Sequence, residues 1–147
     1  MTDIRMIPAR DMEKLFKIFS DVSPDIADFK ESAIPAIISR IMNNHSWIIM
    51  SGDTPICVCW LRKTDDETGR LGFIYSNEFM KNQGKGITYY LSKKLEEYAS
   101  LVKKFEIHSL LSHVKSESWY KYLGFKNTGK SYTDSDGHTV TIFERIV

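Results

Sequence analysis

Apolar and polar positions alternate along this chain with two different periods, and the changes of period mark its elements. Residues 4–9, "IRMIPA", read as a short strand. Met12, Leu15, Phe16, Phe19 and Val22 then recur at helical spacing, with Asp11 placed to cap the stripe. "SDVSPD" interrupts it, and Ile34, Ile37, Ile38, Ile41 and Met42 form a second helical face. Three β-rich runs follow, "SWIIMS", "ICVCWLRK" and "LGFIYSN", separated by the turn "GDTP" and the polar connection "TDDETGR". A long helix is expected from Ile87, with Leu91, Leu95, Tyr98 and Val102 along one face. "FEIHSLLSH" reads as a strand and "SESWYKYL" as a short helix stopped by Gly124. Two last strands, "KNTGKSYT" and "HTVTIFERIV", flank the turn "DSDG".

The expected order is β-α-α-β-β-β-α-β-α-β-β. The middle strands can pair as a meander. The long helix joins the strand before Gln83 to the next strand, which suits a parallel crossover. The fold class is therefore α/β, with a mixed, mostly antiparallel sheet and helices on both faces. With 147 residues and no repeat, linker or low-complexity tract, residues 1–147 are expected to form one domain.

Composition narrows the function only by exclusion. A net charge of +1 gives no reason to expect nucleic acid or an anionic membrane as partner. The first residues carry charges and no unbroken apolar run, so no secretory signal is expected, and no stretch is apolar enough to span a bilayer. Cys57 and Cys59 lie two apart in an apolar run, a spacing unsuited to a disulfide within a strand. Buried, reduced thiols in a cytoplasmic protein are the expectation, and no metal site is expected.

The chemistry is concentrated in "NQGKGITYYL", residues 82–91. Gly84 and Gly86 stand at the entrance of the long helix, where unpaired N–H groups and the helix dipole favour a phosphate. The stretch is neither a P-loop nor a dinucleotide fingerprint. It lacks the Gly-Lys-Ser/Thr ending of the first, and Tyr89 stands where the second needs its third glycine.

"QGKGIT", Gln83 to Thr88, resembles the acyl-CoA pyrophosphate loop of the GNAT acyltransferase superfamily, and "WYKYLGF" resembles that family's second hallmark. Thr88 stands where the family prefers a smaller residue, and Met80 where a proline is frequent. The resemblance implies the GNAT fold and an N-acetyltransferase using acetyl-CoA on a primary amine. It implies that main chain near Ser76, Asn77 and Glu78 pairs with pantetheine. N–H groups across Gly84, Lys85, Gly86, Ile87, Thr88 and Tyr89 would face the pyrophosphate. Tyr120 holds the place of the family's acid tyrosine, which protonates the departing thiolate. Some relatives carry a base twelve residues before that tyrosine, and here the position is His108, with Glu78 near the thioester end as the alternative base. Glu106 is expected to face solvent, and His113 holds the place of a residue that often contacts the cofactor. Clustered acids at Asp21, Asp25, Asp28 and Glu31 would favour a cationic acceptor. Trp47, Trp60 and Tyr75 are candidates for a pocket wall, against packing in the core. Pairing of terminal strands makes a homodimer plausible. A non-catalytic acyl-CoA-binding module on the same fold is the competing expectation.

Overall fold

The computed structural model describes residues 3–24, 26, 29–81, 85–110 and 114–147. The strands are β1 (Ile4–Pro8), β2 (His45–Ser51), β3 (Thr54–Lys63), β4 (Thr68–Tyr75), β5 (Lys104–Leu110), β6 (Lys126–Thr133) and β7 (Thr139–Ile146). The helices are α1 (Met12–Phe19), α2 (Ile34–Met42), α3 (Asn77–Lys81), α4 (Lys85–Glu97) and α5 (Val114–Tyr122). The seven strands form one sheet in the order β1-β2-β3-β4-β5-β7-β6. Among the described residues only β4 and β5 pair in parallel, as the helical crossover between them requires.

The period-two alternation of the strands sends their apolar residues to two cores. Ile48, Met50 and Val58 pack on one face with Leu15, Ile18 and Phe19 of α1 and with Ile37 and Ile41 of α2. Trp47, Ile49, Cys57 and Cys59 pack on the other with Ile87, Leu91 and Leu95 of α4 and Trp119 and Tyr120 of α5. Both cysteines are free and buried. Burial holds the Cys57 thiol well above its ordinary pKa and raises Cys59 to about 12.

Three elements end earlier than their apolar spacing suggests. Helix α1 stops at Phe19, where Ser20 bonds back to Phe16 and Asp21 to Ile18. Val22 leaves the helical stripe and bridges Ser76 instead. Helix α4 stops at Glu97, because the next amides tighten to three-residue bonds, Tyr98 to Leu95 and Ala99 to Glu96. Tyr98 still packs on Trp47, but from a turn. Strand β4 stops at Tyr75, and Asn77 begins a short helix rather than ending the strand.

Candidate active site

The site is built by a strand pair that separates. β4 and β5 are in register only over Thr68–Arg70 and Lys104–Glu106. Beyond those residues β4 continues against β3 alone, while β5 continues against β7. A gap opens between the two parallel strands. It leads into a cavity of about 480 Å³ whose wall includes the whole run Leu71–Tyr75, with Ile107, His108 and Tyr120 across from it.

Alternate residues of a strand turn their N–H and C=O to opposite sides. Ser76 donates its N–H to Ile56 of β3 (2.9 Å), so Tyr75 and Asn77 face away from β3. Both are occupied there. Ser23 N–H donates to the Tyr75 carbonyl (3.0 Å), and Asn77 N–H donates to the Asp21 carbonyl (3.1 Å). The Asn77 side chain also donates to the Asp21 carboxylate (2.8 Å). Residues 21–23 thus lie along the end of the gap. By the same alternation Phe73 turns its main-chain N–H and C=O into the gap, a position the sequence reading did not raise.

Tyr120 is buried, with its ring edge-on to Phe73 and Phe143. Its hydroxyl is 3.1 Å from that of Ser109 on β5. The turn after α5 fixes its backbone. Gly124 takes φ +87°, and Phe125 N–H donates back to the Tyr120 carbonyl (3.0 Å). The Leu-Gly-Phe ending therefore anchors the tyrosine as well as closing the helix.

His108 sits in a polar group of its own. Nε2 is 3.0 Å from a Glu106 carboxylate oxygen, and Nδ1 is 2.8 Å from the Tyr132 hydroxyl. A carboxylate only accepts, so Nε2 carries the proton and Nδ1 accepts from Tyr132. An Arg70 guanidinium nitrogen lies 2.9 Å from Nδ1 and 3.2 Å from Nε2. A position so near both nitrogens is over the ring face. Burial lowers the His108 pKa below its ordinary value; the Glu106 hydrogen bond opposes this, while the Arg70 and Arg62 charges add to it. Glu106 is not solvent-facing as expected, since only 17% of its side chain is exposed. Desolvation raises its carboxyl, but bonds from His108 and Lys104 outweigh this and leave it below the usual range. The signal was present in the sequence: residues 106 and 108 share one face of a strand.

The cofactor-loop candidates divide. Gln83 and Gly84 lie outside the described residues, as do His113, Asp25 and Asp28. Lys85 and Gly86 open α4, Ile87 is buried, Thr88 is half-buried and Tyr89 is exposed. Glu78 lies in α3, half-buried. Of the three aromatic candidates, Trp60 and Tyr75 line the cavity, whereas Trp47 packs in the core under α4. Trp60 lies flat across Gly72, where an added Cβ would stand 2.4 Å from the indole. In the β6–β7 turn, Asp134, Asp136 and His138 bring ligand atoms within 4.8 Å of one another, a grouping not foreseen. Asp134 is largely committed to that turn, accepting from the N–H groups of Asp136 and His138.

No family model and no curated protein matches the chain. Solved structures do. The ribosomal-protein-S18-alanine N-acetyltransferase from Escherichia coli superposes with a TM-score of 0.71 at 14% identity, covering 100% of this chain and 94% of that one. A Bacillus subtilis acetyltransferase in complex with CoA gives 0.66 at 16% identity, covering 100% and 99%. A microcin C7 self-immunity acetyltransferase in complex with acetyl-CoA and AMP gives 0.62 at 19%, covering 92% and 82%. The fold is that of the GNAT acetyltransferases. The GNAT fold expected from "QGKGIT" and "WYKYLGF" is thus the fold found, including the parallel pair at its centre. In this GNAT-fold chain Tyr120 of α5 lies against Phe73 of β4 and Ser109 of β5, and α4 begins within "QGKGIT".

Proposed function

We propose that this chain is an N-acetyltransferase, moving the acetyl group of acetyl-CoA to a primary amine by direct attack. The observation that carries the reading is the β4–β5 gap, with a buried tyrosine hydroxyl inside it and a cavity at its mouth. Two CoA-bound structures of the same fold support the choice of cofactor.

The residues fit that cofactor. Helix α4 has 13 residues, and its first N–H groups lack partners within the helix. Those of the first turn, Lys85 to Ile87, would hold the pyrophosphate, aided by the positive end of the helix. The half-buried Thr88 can add a hydroxyl donor. The pantetheine arm would run along the gap edge of β4 at Phe73, towards Ser76, Asn77 and Glu78. Bonding to Asn77 N–H there requires its present bond to Asp21 to open. The bound thioester supplies the activated acetyl group.

The chain's own groups do the rest. A lysine-like amine at pKa 10.4 needs about 4.6 kcal/mol to be neutral at pH 7. Neutral His108, oriented by Glu106, can take that proton at Nδ1 once the Tyr132 hydroxyl yields its place. Phe73 N–H, in the gap, is placed to stabilise negative charge on the thioester oxygen. Tyr120 gives its proton to the leaving sulfur. The Ser109 hydroxyl, 3.1 Å from the phenol oxygen, can serve as donor or acceptor to it.

The test is calorimetric titration with acetyl-CoA and CoA, comparing wild type with Gly86→Asp. Micromolar binding lost in a folded variant, followed by thiol release with an amine, is the expected result. Absence of binding to folded wild type sinks the reading. Binding without turnover on any amine would leave a non-catalytic acyl-CoA module.

A further inference from the structure

Among the described residues, the cavity at the mouth of the gap is lined by more cationic than acidic side chains, the reverse of what the neighbouring loop suggests. Of the acids that pointed to a cationic acceptor, Asp21 is bonded to Asn77, and neither it nor Glu31 lines the cavity. Lys30, Arg40, Arg62 and Arg70 line it instead. Arg62 on β3 and Arg70 on β4 are direct partners across the antiparallel ladder. Like charges set opposite one another at this spacing repel. Among the described residues no carboxylate pairs with Arg40, Arg62 or Arg70. The Arg70 Nε is buried with no hydrogen-bond partner, and the outer nitrogen of the same guanidinium rests on His108. A buried guanidinium donor left unpaired is costly, and a planar anion is the partner its geometry fits. Among the described residues two carboxylates line the cavity, Asp134 and Asp136, but both come from the β6–β7 turn, where Asp134 is already engaged.

We propose that the acceptor amine carries an anionic group, a carboxylate or phosphate, which Arg62 and Arg70 grip together at the side of the cavity beside His108. The proposal rests on the acyltransferase reading for the fate of the amine. Its charge argument does not depend on that reading. Gripping the anion beside His108 would present the amine end towards Nδ1 and the gap. It would also relieve the Arg62–Arg70 repulsion, so binding gains from both partners.

The test uses four short primary amines on two- or three-carbon chains: β-alanine, 2-aminoethyl phosphate, ethanolamine and 1,3-diaminopropane. Turnover is read as thiol release at saturating acetyl-CoA, with acetyl-CoA binding measured separately by calorimetry. An anionic amine is expected to exceed the neutral one in kcat/KM by about ten- to a hundredfold, and Arg62→Gln to abolish that preference through KM. The acetyl-CoA dissociation constant should stay unchanged in Arg62→Gln. β-Alanine against 2-aminoethyl phosphate decides between carboxylate and phosphate. A preference for the diamine or no preference overturns the proposal, as does an anion preference that survives both Arg62→Gln and Arg70→Gln. If acetyl-CoA binds and no amine turns over, the activity reading fails separately. The anion site is then judged by thermal stabilisation with the two anionic amines. A shift in wild type that Arg62→Gln removes supports it, and no shift, or a shift that persists, overturns it.

Discussion

Tyr120 and His108 sit in different environments, and the roles proposed for them differ with those environments. Tyr120 is in an aromatic shell with the Ser109 hydroxyl beside its own, so Tyr120→Phe removes a proton without changing the aromatic packing. It is expected to lower kcat about 10²–10⁴-fold and leave CoA affinity intact, measured by steady-state kinetics and calorimetry. His108 is neutral at pH 7, with its pKa below the ordinary 6.5 because burial and the arginines outweigh Glu106. The acid limb of the rate profile should therefore fall below pH 6.5, and His108→Gln should remove that limb. Stability follows the same sign. The unfolded histidine binds a proton more readily than the folded one, so its contribution is full above about pH 6.5 and is lost as pH falls through the lower native value. Denaturant midpoints from pH 7.5 to 5 should decline in wild type and less so in His108→Gln. Gly72 is constrained by Trp60: Gly72→Ala would drive a methyl into the indole and is expected to cost about 1–3 kcal/mol in urea unfolding, partly recovered by Trp60→Leu.

The elements show why local pattern reads some boundaries and not others. Asp11 was legible as a cap, and its carboxylate does accept from the N–H groups of Glu13 and Lys14. Asp11→Ala should lower the midpoint of thermal or chemical unfolding, through loss of the cap. Val22 sits three residues past Phe19, so spacing alone enrols it in α1, yet its backbone is claimed by Ser76 from far along the chain. Tyr98 and Val102 keep helical spacing after the helix has tightened and ended, because a turn can present the same apolar face to Trp47. The turn that anchors Tyr120 was visible in one short segment, because Gly124 stands at the helix end where a left-handed residue is needed. The candidate site was not legible where register makes it. The facing of Arg62 and Arg70, and the gap edge at Phe73, depend on which strands pair and where one pairing stops.

At the scale of the whole molecule, two apolar layers hold the sheet between them while its central parallel pair stays open at one end. The sheet stays continuous across that opening because β4 remains tied to β3 and β5 to β7. The meander and the parallel crossover were both readable from element order. The two cysteines, buried in one of the layers, have a further consequence. Their thiols are shielded and stay protonated at the mildly alkaline pH of a disulfide-exchange colour reaction. The folded protein should therefore contribute no colour of its own, and each thiol counted would be a CoA released. In denaturant the same reagent should count both cysteines of every chain. One inexpensive dye thus reports turnover in the native state and the unfolded fraction outside it.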